Sequence, residues 1–231
     1  MCGIVGFYNK LGGSDNSSRN IAVKMASAIK HRGPDDSGVW LGDNNRLALA
    51  HQRLSILDIS AAGHQPMISA NGRFILVFNG EIYNHQEIKD SLINDFWKGE
   101  SDTEILLEAI AQWGLVKTLK KCSGMFAFAL WDKKLKRLSL VRDRFGEKPL
   151  YYGWSNDVFI FGSELKSLKI HPSFQPNINM DAVSLYFNHG YIPAPFSIYK
   201  GISKLSPGSI LHFNPNLADY NSTIEEKYWS L

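Results

Sequence analysis

The stretch "MCGIVGFY" (residues 1–8) decides the fold, because it places a cysteine directly after the first methionine and an apolar run directly after that cysteine. Chain termini are commonly polar and poorly ordered, whereas a chain that is apolar from its third residue is expected to enter the core as a strand. Cys2 would then occupy a fixed place in the fold. With Met1 removed, it would carry a free α-amine beside its thiol.

That amine would give Cys2 a chemistry of its own. A thiol attacks a carbonyl carbon as the thiolate, and an α-amine with a reference pKa of about 8 can take up the thiol proton near neutral pH, directly or through a water. One residue would then supply both the nucleophile and the base. On position alone, a small buried hydrophobe is the simpler interpretation of Cys2, and this alternative stays open here.

The composition is that of a globular protein with a sizeable core: 231 residues, 44% of them hydrophobic and 20% charged. The formal net charge of +3 is too small to indicate a nucleic-acid or membrane partner. The longest apolar run, "MFAFALW", is far shorter than the roughly 20 residues of a membrane-spanning helix, and the N-terminus does not have the pattern of a secretion signal. Cys2 and Cys122 are too far apart in the chain to suggest a disulfide framework. We therefore expect a cytoplasmic protein.

Hydrophobic periodicity predicts runs of strands with helices between some of them. Strands are predicted at 3–8, 46–59 and 72–84, and four short ones follow between 124 and 164. Helices are predicted at 18–30, 84–95, 101–114 and 179–190. Asn79–Gly80 is predicted to be a tight turn at the end of its strand, and Ser101 with Glu104 to be a capping box. This order predicts an α+β fold, with antiparallel sheets that carry helices on their outer faces.

The segment "FNGEIYN" contains groups that an acyl transfer needs. Asn79 can offer a side-chain N–H and Gly80 a backbone N–H to a developing oxyanion, and glycine lets a substrate approach closely. Glu81 follows at once, and its carboxylate could bind a substrate ammonium. Taken alone, a plain Asn-Gly turn explains the pair equally well.

Two more residues are candidates for binding charged groups of a substrate. Arg53 stands inside an otherwise apolar strand, where its guanidinium requires a carboxylate, either of a substrate or of a structural Asp or Glu. Asp102 lies in the first turn of a predicted helix, where the helix dipole alone favours it without excluding a ligand. No metal-binding motif, P-loop or GxGxxG motif occurs, so the sequence predicts neither a metal nor a nucleotide site.

The motifs gain specificity as an ordered set: "MCGI", "HRGPDDSG", "HQRLSILD", "FNGEIYN", "SDTE" and "RDRFGEKPLYY". With this set the chain resembles the N-terminal glutaminase domain of glutamine-hydrolysing asparagine synthetases of the asnB type. That domain is a class II glutamine amidotransferase of the Ntn-hydrolase superfamily. The stretch "YIPAPFSIYKGISKLSPG" is most similar to asparagine-synthetase-like proteins of bacterial polysaccharide loci.

The resemblance implies an αββα sandwich of two antiparallel sheets between helical layers. It also implies that Met1 is removed and that Cys2 attacks the side-chain amide of L-glutamine, with Asn79 and Gly80 as the oxyanion hole. Arg53 would bind the α-carboxylate of glutamine, and Glu81 and Asp102 its α-amine. The backbone of the following stretch would also line the glutamine pocket, and its residues are Leu54, Ser55, Ile56 and Leu57.

The resemblance further implies a division of the whole protein. Residues 2–212 would form the glutaminase domain, which needs no cofactor, and residues 213–231 a linker toward a C-terminal synthetase domain that is absent from this chain. ATP and Mg²⁺ would belong to that domain, which would use the ammonia for ATP-dependent asparagine synthesis. Whether the protein is a homodimer is left open.

Other functions remain open at this point. One is the same glutaminase serving another carboxylate acceptor in bacterial polysaccharide modification. Others are a non-catalytic interaction module and a different Ntn amidase that acts on larger amides.

Overall fold

The computed structural model describes residues 1–93, 96–216 and 223–231. It has twelve strands in two six-stranded sheets, and every strand pair is antiparallel. In chain order the strands are β1 (Gly3–Asn9), β2 (Asp36–Gly42), β3 (Leu47–Arg53), β4 (Met67–Ile68), β5 (Phe74–Ile82), β6 (Gly124–Asp132), β7 (Arg137–Arg142), β8 (Tyr151–Ser155), β9 (Val158–Gly162), β10 (Ile202–Lys204), β11 (Ser209–Phe213) and β12 (Thr223–Lys227).

Helices occupy the connections between these strands. They are α1 (Asp15–Ser27), α2 (His85–Asp90), α3 (Asp102–Trp113), α4 (Leu115–Lys121), α5 (Leu165–Leu168) and α6 (Met180–His189). One short 3₁₀ helix, Lys30–Arg32, follows α1, and another, Ala61–Gly63, follows β3.

The first sheet has the strand order β10-β8-β9-β1-β3-β2 and the second β12-β11-β7-β6-β5-β4. Strand β1 lies inside the first sheet, where it pairs Ile4 with His51 of β3 and Val5 with Gly162 of β9. In the second sheet β5 and β6 pair over their full length, from Phe74 opposite Asp132 to Ile82 opposite Gly124. The apolar start of the chain is therefore a central strand with a neighbour on each side.

Three buried clusters divide the molecule into layers. The cluster between the sheets takes alternate residues of strands from both, such as Ile4 of β1 and Val77 of β5. A second cluster joins the outer face of the second sheet to α3, and a third joins the outer face of the first sheet to α1 and α5. Helices thus cover both outer faces, which confirms the predicted αββα sandwich.

The helix ends explain small shifts from the predicted bounds. The N-cap of α1 is Ser14, whose side chain accepts the Ser17 N–H, so the helix begins three residues before the predicted start at 18. Ser101 caps α3 by accepting the Glu104 N–H at 3.2 Å. The carboxylate of Glu104 accepts from the N–H groups of Lys98 and Gly99 instead of from Ser101, so only half of the predicted capping box forms.

Two other regions differ from the sequence-based expectation. Asn79 and Gly80 are not a turn: both lie inside β5, opposite Ala127 and Phe126 of β6. Strand β12 lies within the range predicted to be a linker, where its charged and exposed residues carry no apolar alternation, as is usual for an edge strand. The domain limit at 212 stays a prediction, and residues 217–222 of that linker, like Asn94 and Asp95 of the predicted helix 84–95, lie outside the described residues.

Among the described residues no helix is both long and apolar enough to span a membrane.

Close packing around β1 gives a test of the fold. Replacing Gly6 with alanine would place a Cβ 2.5 Å from the carbonyl oxygen of Ala48 and 2.4 Å from the ring of Phe161. Because a backbone atom cannot move aside, we expect Gly6→Ala to lower the free energy of unfolding by about 3 kcal/mol, measured by urea denaturation.

Gly3→Ala on the same strand is the matched control. Its Cβ would lie 2.7 Å from the flexible end of the Ile29 side chain, which can rotate away, so we expect a clearly smaller loss. Equal losses for the two variants would contradict the described packing of β1.

Candidate functional site

One pocket collects the predicted site residues at the end of the sandwich where β1 begins and β3 and β5 end. Cys2 precedes β1, Arg53 ends β3, Asn79 to Glu81 lie in β5, and Asp102 begins α3. The pocket is lined by Met1, Cys2, Arg53, Leu54, Ile56, Leu57, Asp58, Gly63, Gln65, Phe78, Asn79, Gly80, Glu81, Ser101, Asp102, Thr103, Met125 and Lys148. Every residue predicted to act or bind is in this lining except Ser55, whose exposed backbone N–H donates to Asp35 at 2.8 Å.

The thiol of Cys2 is held against the backbone that follows β3. The N–H of Leu54 donates to Sγ at 3.4 Å, and Sγ is 3.6 Å from the carbonyl oxygen of Leu54. Burial raises the pKa of the thiol above its usual value, which outweighs the opposing effect of the Leu54 hydrogen bond. The thiol is therefore protonated near neutral pH and needs a base to become a nucleophile.

Asn79 lines the same pocket as this thiol and is completely buried. Neither its side-chain nitrogen nor its side-chain oxygen has a hydrogen-bond partner among the described residues. A buried amide without partners is costly and rare in native proteins. Since Asn79 lines the pocket, a ligand there could satisfy it.

The backbone N–H of Gly80 points away from β6. Phe126 lies opposite Gly80 on β6, and both of its backbone groups bind Asp143 instead of Gly80. Its N–H donates to the Asp143 carboxylate, and its carbonyl oxygen accepts the Asp143 N–H. In an antiparallel pair the residue facing such a position directs its groups outward as well. A side chain at Gly80 would also clash with the backbone of Met125, at 2.3 Å from its carbonyl oxygen.

β4 pairs with β5 only at residues 75 and 76, and beyond them this edge of β5 is free of strands among the described residues, with side chains on the neighbouring donors. The Phe78 N–H donates to Oε1 of Gln65 at 2.6 Å, and the Ile82 N–H donates to Oδ2 of Asp102 at 2.8 Å. The Gly80 N–H between them has no acceptor in the described part of the chain. The edge therefore presents one open donor beside the unpartnered Asn79 amide.

Arg53 is buried and held by the loop that follows β3. Its Nη1 donates to the carbonyl oxygen of Ser60 at 2.8 Å, and its Nη2 donates to that of Asp58. A Cβ on Gly63 would lie 2.0 Å from Nη2, so only glycine allows this approach. Within the described residues no carboxylate is at ion-pair distance from the guanidinium. Its positive charge is therefore fixed in place and available to an anionic group.

Asp102 and Glu81 give the same pocket two acidic groups. Asp102 is buried, and this burial raises the pKa of its carboxyl, although the hydrogen bond from Ile82 acts in the opposite direction. The charge of Glu81 adds to the rise. A cation bound between the two carboxylates would offset both the burial and the Glu81 charge that raise the pKa of Asp102.

The sequence interpretation missed several members of the lining. Gln65 fixes the edge of β5, and its Nε2 lies 3.4 Å from the Thr103 hydroxyl. Lys148 is buried with its ammonium in the pocket. Lys148 belongs to the motif RDRFGEKPLYY and Gln65 to none of the quoted motifs, and neither side chain carries a local pattern that distinguishes binding from structure.

His51 lies directly beneath the site, fully buried between the sheets. Its Nε2 is 3.0 Å from the carbonyl oxygen of Phe78, which can only accept, so Nε2 carries the proton and donates. Nδ1 has no partner among the described residues. Burial lowers the pKa of His51 to about 4.

A family model described as a glutamine amidotransferase domain matches residues 1–229. A relative from Methanocaldococcus jannaschii, provisionally named asparagine synthetase [glutamine-hydrolyzing] 2, is 39% identical over 100% of this chain and 47% of its own length. Asparagine synthetase [glutamine-hydrolyzing] 2 of Bacillus subtilis is 36% identical over 100% of this chain and 31% of its own length. The chain thus spans less than half of these relatives.

Among solved structures, glutamine phosphoribosylpyrophosphate amidotransferase of B. subtilis is similar in fold. It superposes with a TM-score of 0.72 over 99% of this chain and 49% of its own length, at 18% identity. At this identity the match supports the fold alone, and it agrees with the two-sheet architecture.

The buried His51 should make stability depend on pH. Unfolded histidine binds a proton near pH 6.5, but folded His51 does so only near its pKa of about 4. Folding is therefore penalised as pH falls through this window, by about 2 kcal/mol at pH 5 for this one group. We expect the loss of unfolding free energy between pH 7.5 and 5 to be smaller in His51→Gln than in the original protein.

Urea denaturation at both pH values measures this difference. His189→Gln, at an exposed position on α6, is the matched control. An equal pH-dependent loss in His51→Gln and the original protein would show that His51 is not buried and neutral as described.

Proposed function

The chain belongs to the glutamine amidotransferase domain family, in its class II branch, and on that premise we propose how its pocket hydrolyses L-glutamine. Cys2, freed by removal of Met1, attacks the side-chain amide and forms a glutamyl thioester. The products are glutamate and ammonia. The unpartnered, fully buried amide of Asn79, which lines the same pocket as Cys2, carries this proposal, because an oxyanion is the ligand that such a donor lacks.

The first step requires a base, since burial keeps the Cys2 thiol protonated. No histidine is among the described residues that line the pocket. The α-amine of Cys2 supplies the base in the proposed mechanism: it takes the thiol proton while Sγ bonds to the amide carbon of glutamine. The carbonyl electron pair moves onto oxygen, where the side-chain N–H of Asn79 and the backbone N–H of Gly80 donate to it.

The second step releases ammonia. The electron pair on oxygen re-forms the carbonyl, the C–N bond breaks, and the nitrogen takes the proton held by the α-amine. Water then attacks the remaining thioester and gives a proton to the same amine. The amine passes this proton to the departing thiolate, which becomes the thiol again. The first half of the reaction restores the amine and leaves Cys2 acylated, and the second half restores the free thiol.

The charged groups of the pocket match those of free glutamine. Arg53 binds the α-carboxylate, and it is suited to this because no protein carboxylate neutralises it among the described residues. Glu81 and Asp102 bind the α-ammonium. Leu54, Ile56 and Leu57 line the entrance, where Ile56 and Leu57 are exposed apolar side chains that a bound substrate would partly cover.

We further propose that the ammonia serves ATP-dependent asparagine synthesis. The relatives named asparagine synthetases are more than twice as long as the segment matched here, which leaves room for a synthetase domain. ATP and Mg²⁺ would bind in that domain, with residues 213–231 leading toward it. An acceptor other than aspartate would keep the chemistry of the present pocket unchanged.

Covalent labelling tests the glutaminase proposal. The glutamine analogue 6-diazo-5-oxo-norleucine should add once to the purified chain, with Met1 absent and the adduct on Cys2, as measured by intact mass and peptide mapping. Cys2→Ala should neither take up the label nor release ammonia from glutamine. Cys122→Ala, which removes the other cysteine, is the matched control and should label normally.

Retained Met1 without an adduct, or full activity of Cys2→Ala, would contradict the proposal. An intact but unreactive site would instead favour an interaction module.

Two substitutions should separate catalysis from binding. We expect Asn79→Ala to lower kcat by about 10²–10³-fold with little change in KM, because the oxyanion forms only during reaction. Arg53→Met should mainly raise KM for glutamine. For glutamine α-amide, which lacks the carboxylate, Arg53→Met should raise KM much less.

Steady-state kinetics with both substrates measures this pattern, and thermal unfolding verifies that the variants fold. Equal effects of Arg53→Met on the two substrates would refute the assignment of Arg53 to the carboxylate.

A further inference from the structure

The loop from Asp143 to Lys148 is fastened by an unusual number of hydrogen bonds. The carboxylate of Asp143 is fully buried and accepts four backbone N–H groups, from Phe126, Phe145, Glu147 and Lys148. A carboxylate that is satisfied in this way by the loop's own backbone fixes the loop's conformation.

Arg142 fastens the same loop from its other side. Its guanidinium donates to three carbonyl oxygens, those of Lys148 at 2.8 Å, Gly146 at 2.6 Å and Leu205 at 2.6 Å. Neither Asp143 nor Arg142 lines the pocket. Together they determine where the backbone of Lys148 lies, and hence where its side chain can reach.

The side chain of Lys148 enters the pocket beside the first residue of the chain. Its ammonium donates to Sδ of Met1 at 2.9 Å, and no carboxylate lies at ion-pair distance from it within the described residues. A thioether is a weak acceptor, so the ammonium is buried without an adequate partner, which is costly. Such an arrangement in a pocket, on a loop that enforces it, indicates a role in the site.

A second cation, Arg32, contacts the same segment. Arg32 donates from Nε to the carbonyl oxygen of Cys2 at 2.9 Å, and from Nη1 to Glu164 at 3.0 Å. Its Nη2 is buried without a partner. The Met1–Cys2 segment is therefore contacted by two positive side chains, one of which touches the residue whose removal would create the new amine.

We propose that Lys148 is a positioning residue whose fixed ammonium keeps the α-amine of Cys2 uncharged near neutral pH. This inference rests on the proposed function, in which that amine is the base. Two like charges close together in a buried site repel, so the cation of Lys148 disfavours a second cation on the amine. The uncharged amine can then accept the thiol proton, and the same cation favours the thiolate that results.

The other charges around Lys148 are compatible with this role. Burial lowers the pKa of Lys148 and nearby Arg32 lowers it further, whereas Glu147 and Asp143 of its own loop and Glu81 of β5 act in the opposite direction. The three acids thus partly offset the effect of burial on the pKa of Lys148. Around Cys2 itself, the charge of Asp102 raises the pKa of the thiol and that of Arg53 lowers it.

The pH dependence of labelling separates this role from a structural one. In Lys148→Met we expect the midpoint of the labelling rate with 6-diazo-5-oxo-norleucine to move about one pH unit higher, because the amine regains its proton more readily. The rate at pH 7 should then fall about tenfold, yet recover to within about twofold at pH 9.5. Lys148→Arg, which keeps the charge, should keep the original midpoint.

Lys133→Met removes an exposed lysine directly after the end of β6 and serves as the matched control. Lys148→Gln is a second uncharged variant, should Lys148→Met fail to fold by circular dichroism. An unchanged midpoint in a folded uncharged variant, or a loss of rate that is equal at all pH values, would overturn the proposal.

Failure of the proposed function would be seen differently. In that case the original protein would form no adduct on Cys2 at any pH. A normal adduct with an unchanged midpoint in the variants would refute only the role of Lys148.

Discussion

The burial of β1 between two antiparallel neighbours is the constraint on which the rest of the structure depends. Ile4 and Tyr8 enter the space between the sheets while Val5 and Phe7 enter the outer layer, so the strand cannot shift by one residue without exchanging its two faces. Its first residue is Gly3. Cys2 therefore has a fixed position at the mouth of the sandwich, although it is only the second residue of the chain.

Around that position the fold leaves polar groups unsatisfied that elsewhere in the core would be paired. The Asn79 amide lacks partners, Arg53 and Lys148 lack carboxylates within the described residues, and the Asp102 carboxyl is desolvated. Each of these features costs stability. The interdigitated aromatic and aliphatic layers offset this cost, as do the hydrogen bonds that fix Arg53 and the loop before Lys148. The site is preorganised because the stabilising contacts are made by the residues around it, which leaves the reacting groups free to bind a ligand.

Much of this could be predicted from sequence, for reasons that differ by region. Strand β1 and helix α3 have strong periodic patterns, and most residues of the pocket belong to specific motifs. The local preference of Asn-Gly predicts a turn at Asn79–Gly80, and this prediction is wrong because pairing with β6 places both residues in a strand. Strand β12 is an edge strand without an apolar face, so it gives no signal. Gln65 and Lys148 reach the site through loops whose course depends on distant partners such as Leu205.

The free edge of β5 has a consequence for what the molecule can pair with. Adding a foreign strand to a sheet needs a row of open donors at every second residue. Here Gln65 and Asp102 occupy the donors of Phe78 and Ile82, which leaves the N–H of Gly80 isolated. A single donor cannot template an extended chain, yet it suffices for one oxygen atom of a small molecule. The same two side chains thus leave room at this edge for a small molecule and not for another strand.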